Sequence, residues 1–483
     1  MATPNRALRR LLAETGWTEQ RLAQEVNTVA AEAGLVLRLD RSAVSHWLAG
    51  RIPRHPTPAF LAEALTRRLG RAITPADLGM AARKNRRPPA GAAGPEDPPS
   101  TLRLLAANSE GAGDSAASRR HAPSAQVYSL AALAVPPWTQ AAPRHRLYQV
   151  HGSSGQRLRP GQVSAAEQML TVFADADAAF GGGYARRVLA AYLAHDTAPC
   201  LRAPTSPALR SRMVSAATAL AYLAGFMCFD DQEHGLAQRY YQVTLQLAVE
   251  NDDQAAYAIT VRAMSEQASM LGHHRQAARL AEIAAAISKT ALPTPRRAFF
   301  LGQVAVTAAA NGQRGSAISA LRAAERHLTH TTQHPGARAG DHVADLHTAV
   351  LAHQQAAVLM LLGDRDGAIA ALTRSLRMRP AHERRSRAIA TARLAELHLT
   401  QGHLEEAIHT WHSFLDDYPY LTSGRATAAL NTLRAQLRPY TASCAAHHLL
   451  TRATAVLHRP VPSRGQPPHV IDHTTDCLRL SAW

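Results

Sequence analysis

Arg41, Ser42, Ser45 and His46 fall on one face of a short helix that the sequence predicts between Asp40 and Gly50. A guanidinium, two hydroxyls and an imidazole can donate and accept hydrogen bonds at the edges of bases. They form neither a nucleophile elbow nor a triad motif, so their chemistry is recognition rather than bond making. Val44, Trp47 and Leu48, at spacings of three and four, fill the opposite face and must pack on a core. Asp40 caps the helix, with Leu39 and Val44 as a hydrophobic staple, and Gly50 stops it so that Arg51 and Arg54 emerge just beyond its end. A short exposed helix with its N-terminal half outward and cations beside it is the geometry a DNA reader needs.

The elements that must hold this helix are legible in the same way. Thr18 starts the preceding helix, stapled by Trp17 and Leu22. Leu22, Ala23 and Val26, with Leu8, Leu11 and Leu12 of a first helix, form the expected seat for Val44, Trp47 and Leu48, and the stretch from Val26 to Leu39 is read as the connector. Arg41, Ser42, Ser45 and His46 are then the candidate base contacts, and Thr18, Arg21, Arg51 and Arg54 the candidate phosphate contacts. Phe60, Leu61, Ala64, Leu65 and Leu69 make the apolar stripe of a helix between Pro58 and Gly70, and a short helix from Pro75 carries Leu78. Thr3-Pro4, Thr57-Pro58, Thr74-Pro75, Ser206-Pro207 and Thr294-Pro295 each set a capping hydroxyl before a proline, whose missing amide costs nothing at the first helical position. On this reading the DNA-binding domain spans residues 1–83.

The pattern Thr18-x-x-x-Leu22-Ala23, followed by Asp40-Arg-Ser-Ala-Val-Ser-His-Trp-Leu-Ala-Gly50-Arg-Ile-Pro53, resembles the lambda/434-repressor-like helix-turn-helix group, the Xre family. In that group the first, second and sixth residues of the reading helix touch base edges, which implies Arg41, Ser42 and His46 here. The chain departs from the group in Glu19, which stands where the group has a phosphate-binding Gln, and in its longer connector. The alternative is an ordinary helical hairpin with solvated polar faces.

Charge is distributed as a DNA reader requires. Up to Arg87 fifteen Arg and Lys face seven Asp and Glu, a surplus of eight within a formal net charge of +17 for 483 residues. Neutralised phosphates supply most non-specific DNA affinity, so the clustering is meaningful. Cys200, Cys228, Cys444 and Cys477 show no CxxC spacing, which suggests neither a zinc site nor a disulfide framework. The 25 histidines include no HExxH, and Gly181-Gly182-Gly183 is not followed by a phosphate-loop Lys-Ser or Lys-Thr. The sequence therefore predicts a non-enzyme without cofactor or metal. No apolar core precedes a cleavage site and no run of about eighteen apolar residues is read, so neither secretion nor membrane spanning is expected. The expected location is the cytoplasm, on the nucleoid when DNA is bound.

Residues 84–160 shift to Pro, Gly, Ala, Ser and Arg, a composition read as a flexible, disordered linker. Its basic start, Arg83 to Arg87, is either a clasp for phosphates or a solvated charge run, and Tyr128 to Trp138 form an apolar arm laid on the next domain. From residue 161 to 458 the chain reads as helix pairs. Gly272, Gly312, Gly363 and Gly402, spaced 40, 51 and 39 apart, are each followed five residues later by Ala277, Ala317, Ala368 and Ala407. Seven residues before each glycine stand Ser265, Ala305, Ala356 and Ala395, small enough for two helices to approach, and nine after stand Ala281, Leu321, Leu372 and Trp411, which fill the seam. An earlier, degenerate unit fits the frame with Gly225, Ala237 and Tyr241, and residues 162–202 and 424–458 are read as helices capping the stack. Residues 331–341 are an insertion, Pro380 and Pro419 end the last two units, and 459–483 are a tail.

This frame looks like the tetratricopeptide pattern. The fold expected is therefore all-α: a lambda-repressor-like head, a linker and a tetratricopeptide-like α-solenoid. In such stacks the first helix of each unit lines a concave groove, which implies Tyr222, Phe226, Arg262, Glu266, His353 and Glu396 beside it, facing a peptide, small effector or protein partner; equally, the array serves dimerisation. The whole arrangement resembles actinobacterial regulators, including Streptomyces negative regulators of differentiation and antibiotic production, through Gly181-Gly-Gly-Tyr-Ala-Arg186 and His234-Gly-Leu-Ala-Gln-Arg-Tyr-Tyr241. It implies a repressor of such genes; the assembly expected is a homodimer on double-stranded DNA, with half-sites about one turn apart. The competing reading is a tetratricopeptide adaptor that acts through protein contacts with little direct DNA binding.

Overall fold

A computed structural model describes residues 3–80, 97–110, 127–141, 157–329 and 341–457. The basic run Arg83–Arg87, the insertion up to residue 340, the tail 459–483 and Cys477 lie outside the described residues. Every regular element among the described residues is helical, and many helices pack in solenoid-like succession. Contacts gather into two units: residues 1–159 with 187–252, and residues 160–186 with 253–483.

The first unit opens with α1 (Arg6–Thr15), α2 (Glu19–Glu32), α3 (Arg41–Leu48) and α4 (Thr57–Leu69). Their apolar faces close one core: Leu8, Leu11, Leu12, Leu22, Ala23, Val26, Val44, Trp47, Leu48, Phe60, Leu61 and Leu65 are all buried in it. Thr18 caps α2 by accepting the Arg21 amide at 3.2 Å, and Asp40 caps α3 by accepting the Ala43 amide at 3.1 Å. Gly50, at φ +102°, ends α3: its amide reaches the Trp47 carbonyl and the Arg51 amide reaches the His46 carbonyl. This paired closure satisfies carbonyls the helix would otherwise leave open.

Some local expectations change. α2 runs six residues past Val26 because Val29 and Ala30 continue its buried stripe and nothing breaks it before Gly34 at φ +72°. The connector therefore shrinks to residues 33–40. Asn5, not Thr3, caps α1, accepting the Leu8 amide at 2.9 Å while its Nδ2 donates to the Leu78 carbonyl at 2.8 Å. Thr57 lies inside α4, whose cap position is Pro56, and Thr294 lies inside its helix. Pro75 starts a single turn rather than a helix, although Leu78 is fully buried.

Within the stretch read as a disordered linker, α5 (Pro98–Glu110) is a helix that buries Leu102, Leu105 and Ala106. Composition averaged over the linker hides this local stripe. The arm at 127–141 contains 3-10 turns at Ala131–Leu133 and Trp138–Gln140. Next come α6 (Pro160–Phe180) and α7 (Gly182–Tyr192), a π-helical turn at Leu193–Thr197, α8 (Ala198–Arg202), α9 (Pro207–Asp230) and α10 (His234–Glu250). In the first unit α5 packs on the π-helical turn, α8 and α10. Ser206 caps α9 as expected, accepting the Leu209 amide at 3.5 Å. α9 is also long and apolar enough to cross a membrane, contrary to the sequence reading, but 89% of its most apolar window is buried inside the protein. Its all-round apolar surface is that of a core helix.

The second unit is a run of pairs: α11 (Gln254–Met270) with α12 (His274–Ala291), α13 (Thr294–Ala310) with α14 (Arg314–Thr329), α15 (Asp341–Leu361) with α16 (Arg365–Met378), and α17 (Arg384–Thr400) with α18 (Leu404–Asp417). α19 (Gly424–Leu437) and α20 (Cys444–Leu457) complete it. Gly272, Gly312, Gly363 and Gly402 sit at φ between +74° and +85° at the turn of each pair. Ser265, Ala305, Ala356 and Ala395 are buried against the returning helices, and the Ser265 hydroxyl donates to the Ala277 carbonyl at 2.7 Å. Ala281, Leu321, Leu372 and Trp411 are buried in the seams. The degenerate pair α9–α10 keeps the frame, with Gln232 in the glycine's place at φ +62°.

One capping expectation is corrected. α6 does not belong with residues 187–202: it docks on α17 inside the second unit. Asp177 and Arg385, exposed by 0% and 2%, form a buried ion pair at 3.0 Å. At the glycine-rich turn the Thr422 amide donates to the Phe180 carbonyl at 2.7 Å and the Gly183 amide to the Thr422 carbonyl at 2.9 Å. A side chain at Gly181 would meet that Thr422 carbonyl at 2.8 Å, which is why the turn needs glycine.

Candidate nucleic-acid interface and groove

The residues expected to touch bases share one open face. Arg41, Ser42, Ser45 and His46 are all exposed on α3, while Val44, Trp47 and Leu48 anchor the opposite side in the core. Arg21, Arg51 and Arg54 are exposed around them, and Thr18 is spent on capping α2. The Arg41 guanidinium lies 3.7 Å from Glu19 with 79% of its side chain exposed, a loose contact that leaves it accessible. Ser42 donates its hydroxyl to Asp40 at 2.7 Å, so its oxygen still has acceptor capacity. That bond and the Ala43 amide hold the Asp40 carboxyl below its ordinary range.

Two neighbours fix the N-terminal end of α3, and sequence reasoning missed both. Gln20 Oε1 accepts the Arg41 amide at 3.2 Å, one of the amides a helix start leaves open. Asn27 pairs with Leu39 through both ends of its carboxamide: Nδ2 donates to the Leu39 carbonyl at 2.9 Å, and Oδ1 accepts the Leu39 amide at 3.0 Å. An Asn on a helix flank carries no motif signal, so only the fold reveals this clamp. Beside α3 a hollow opens, lined by Arg9, Trp17, Glu19, Ser45 and Ala49.

The four-helix head is joined to α10 through the arm, all within the first unit. Arg67 donates to Glu32 at 2.8 and 2.6 Å, to Glu63 at 2.9 Å and to the Tyr128 carbonyl at 2.9 Å. Glu63 also accepts the Leu130 amide at 3.0 Å. Burial dominates around Tyr128 and pushes its phenol pKa up.

Of the residues implied for a groove, Tyr222 and Phe226 are 5% and 6% exposed, so both are core residues of the first unit. Tyr222 packs 5.9 Å from the Tyr241 ring and Phe226 6.1 Å from Phe229. Their aromatic type reports the seam of a helix pair, not an open wall. In the second unit, Arg262 stacks 3.7 Å over Phe299 and donates to Glu266 at 3.1 Å. Glu266 keeps 38% of its side chain accessible. Desolvation raises its pKa, but Arg262, Arg425 and His353 outweigh it and the carboxyl sits below its ordinary value. Burial drives His353 down to about 4, Arg379 reinforces this and Glu266 opposes it. Glu396 pairs with Arg393 at 3.0 Å, and the Arg393 charge also acts on His353. Glu266, His353 and Glu396 are half-buried and partly accessible, as the wall of a concavity requires, whereas Arg262, 3% exposed, is a buried residue like Tyr222 and Phe226 and does not itself face solvent.

A family model described as the SP15 N-terminal domain matches residues 8–81, the four-helix head and the turn after it. No curated protein matches the chain.

Proposed function

We propose that the protein is a sequence-specific, DNA-binding transcriptional regulator, with α2 and α3 acting as a helix-turn-helix of the Xre type. The observation that carries this reading is the two-sidedness of α3: four hydrogen-bonding side chains exposed together, and Val44, Trp47 and Leu48 locked into the core behind them. A rigid helix with an open polar face, flanked by Arg21, Arg51 and Arg54, matches the electrostatics and dimensions of a major groove. A homodimer would set two such helices on half-sites about one turn apart.

The helix pairs of the second unit are the sensing part, a tetratricopeptide-like array with Glu266, His353 and Glu396 facing a peptide, small effector or protein partner and the buried Arg262 holding Glu266 in place. Effector binding biases the regulator between states that differ in DNA affinity. By resemblance its targets are genes of differentiation or secondary metabolism, which it represses in the cytoplasm. A mobility-shift assay on the chain's own promoter region, comparing wild type with Arg41→Ala and His46→Ala, tests the reading. Specific shifts that the variants lose support it. No shift at low salt, together with recovery of a stoichiometric protein partner in pull-down, replaces it with the adaptor reading.

A further inference from the structure

The connector between α2 and α3 is a built surface in its own right. Leu35, Leu37 and Leu39 pack on the head's core, while the alternate residues Val36 and Arg38 point outward. This is the period-two alternation of an extended chain, one side buried and one presented. Val36 is 84% exposed, more than any other large hydrophobic residue described as exposed. Its position is fixed at both ends. Gly34 closes α2, with the Leu35 amide on the Ala30 carbonyl at 2.9 Å, and the Asn27 carboxamide grips both backbone groups of Leu39. The connector then passes directly into Asp40, the cap of α3.

We propose that Val36 and Arg38 form a second DNA-contacting element beside the reading helix, Val36 against thymine methyl groups and Arg38 on the adjoining phosphate. The inference rests on the DNA reading of α3 and deepens it. An extended chain advances about 3.3 Å per residue, so Val36 lies within roughly 17 Å of Arg41, a reach of a few base pairs. An aliphatic side chain is the group that distinguishes a thymine by its methyl. Charge selects the occupant. Arg38 and Arg41 stand on the presented side, and the one acid between them, Asp40, is engaged by Ser42 and the Ala43 amide. An apolar tip followed by two exposed cations suits a polyanion that carries methyl groups along its groove.

The test uses the full chain and a pool of randomised double-stranded DNA, with bound duplexes sequenced and salt dependence measured on the selected site. Val36→Ser should lower preference for a thymine flanking the site of α3 by about fourfold for each methyl group no longer covered, leaving the salt slope unchanged. Val36→Ile should keep the preference. Arg38→Ala should weaken binding to all sequences and reduce the salt slope by about one. Because both side chains are exposed, melting temperatures should match wild type, which separates weaker DNA recognition from unfolding. Wild-type preference and slope in Val36→Ser and Arg38→Ala, with Arg41→Ala still losing specificity, would overturn this proposal alone. A Val36→Ser change in oligomeric state without a change in preference would also overturn it, assigning the surface to a second copy of the chain. Wild-type protein that selects no sequence would overturn it together with the reading of α3.

Discussion

Gln238 holds both backbone groups of Ser129: its Oε1 accepts the Ser129 amide at 2.9 Å and its Nε2 donates to the Ser129 carbonyl at 2.8 Å. On either side of Ser129, Arg67 takes the Tyr128 carbonyl and Glu63 the Leu130 amide. Three successive residues of the arm are thus pinned by side chains from α4 and α10. Gln238→Leu removes the α10 half of this clasp and leaves two backbone groups without partners, a cost of about 1–3 kcal/mol. Hydrogen exchange should show the Ser129 and Leu130 amides opening much faster in the variant, with the core of α2 unchanged. Equal protection in both proteins would mean that Arg67, Glu63 and the arm's apolar contacts hold it without Gln238.

Arg67, its side chain 13% exposed, is paired with Glu32 and Glu63, whose side chains are 9% and 7% exposed. Removing the cation strands two carboxylates, so Arg67→Met should destabilise the head by about 3–5 kcal/mol. Denaturant melts check this, and adding Glu32→Met to the same chain should recover part of the loss. A cost within about 0.5 kcal/mol would show that the carboxylates find other partners.

Gly225 faces the ring of Tyr241: a Cβ added there would lie 2.7 Å from Cδ1 and Cε1. The ring is fully buried and packed beside Tyr222, so it cannot swing clear. Gly225→Ala should therefore cost about 1–3 kcal/mol by overpacking. Combining it with Tyr241→Leu should cost less than the sum of the two single changes, as thermal melts of the three variants would reveal.

That contact also marks how far the sequence can be read. A frame of small, turn and seam positions places Gly225 and Tyr241, and the structure keeps that frame even where Gln232 replaces the glycine. The core of the head is legible for the same reason, since helical spacing alone sorts Val44, Trp47 and Leu48 from Arg41, Ser42, Ser45 and His46. Contacts between distant segments are not legible. Asp177 and Arg385 are separated by 208 residues, and neither belongs to a motif. Tyr222 and Phe226 look like groove residues in the sequence because an aromatic on a first helix reads the same whether it fills a seam or faces solvent. The connector, with its Asn27 clamp, stays hidden because α2 continues through Val29 and Ala30.

His353 gives a pH dependence with a definite sign. Its folded pKa of about 4 lies below the ordinary 6.5, so the fold favours the neutral ring. The unfolded chain then binds more protons between those values, and stability is complete above about pH 6.5 and falls as pH drops toward 4. The full effect is of the order of a few kcal/mol, moderated by the Glu266 charge that opposes the shift. Denaturant melts from about pH 7.5 down to about 4 should show this loss, and His353→Gln should flatten the part of it that His353 causes. An unaltered profile in the variant would assign the slope to other groups.

The most direct test of the central claim places a photoreactive side chain on α3 itself. With p-azidophenylalanine at position 45, irradiation of the full chain on its selected duplex should produce a covalent adduct to a base inside the site. The same group at exposed Glu405 should produce none. Adducts from position 45 on selected but not scrambled duplex are the predicted result; no base adduct from position 45, or equal adducts from both positions, would contradict the account of α3 as a DNA-reading helix.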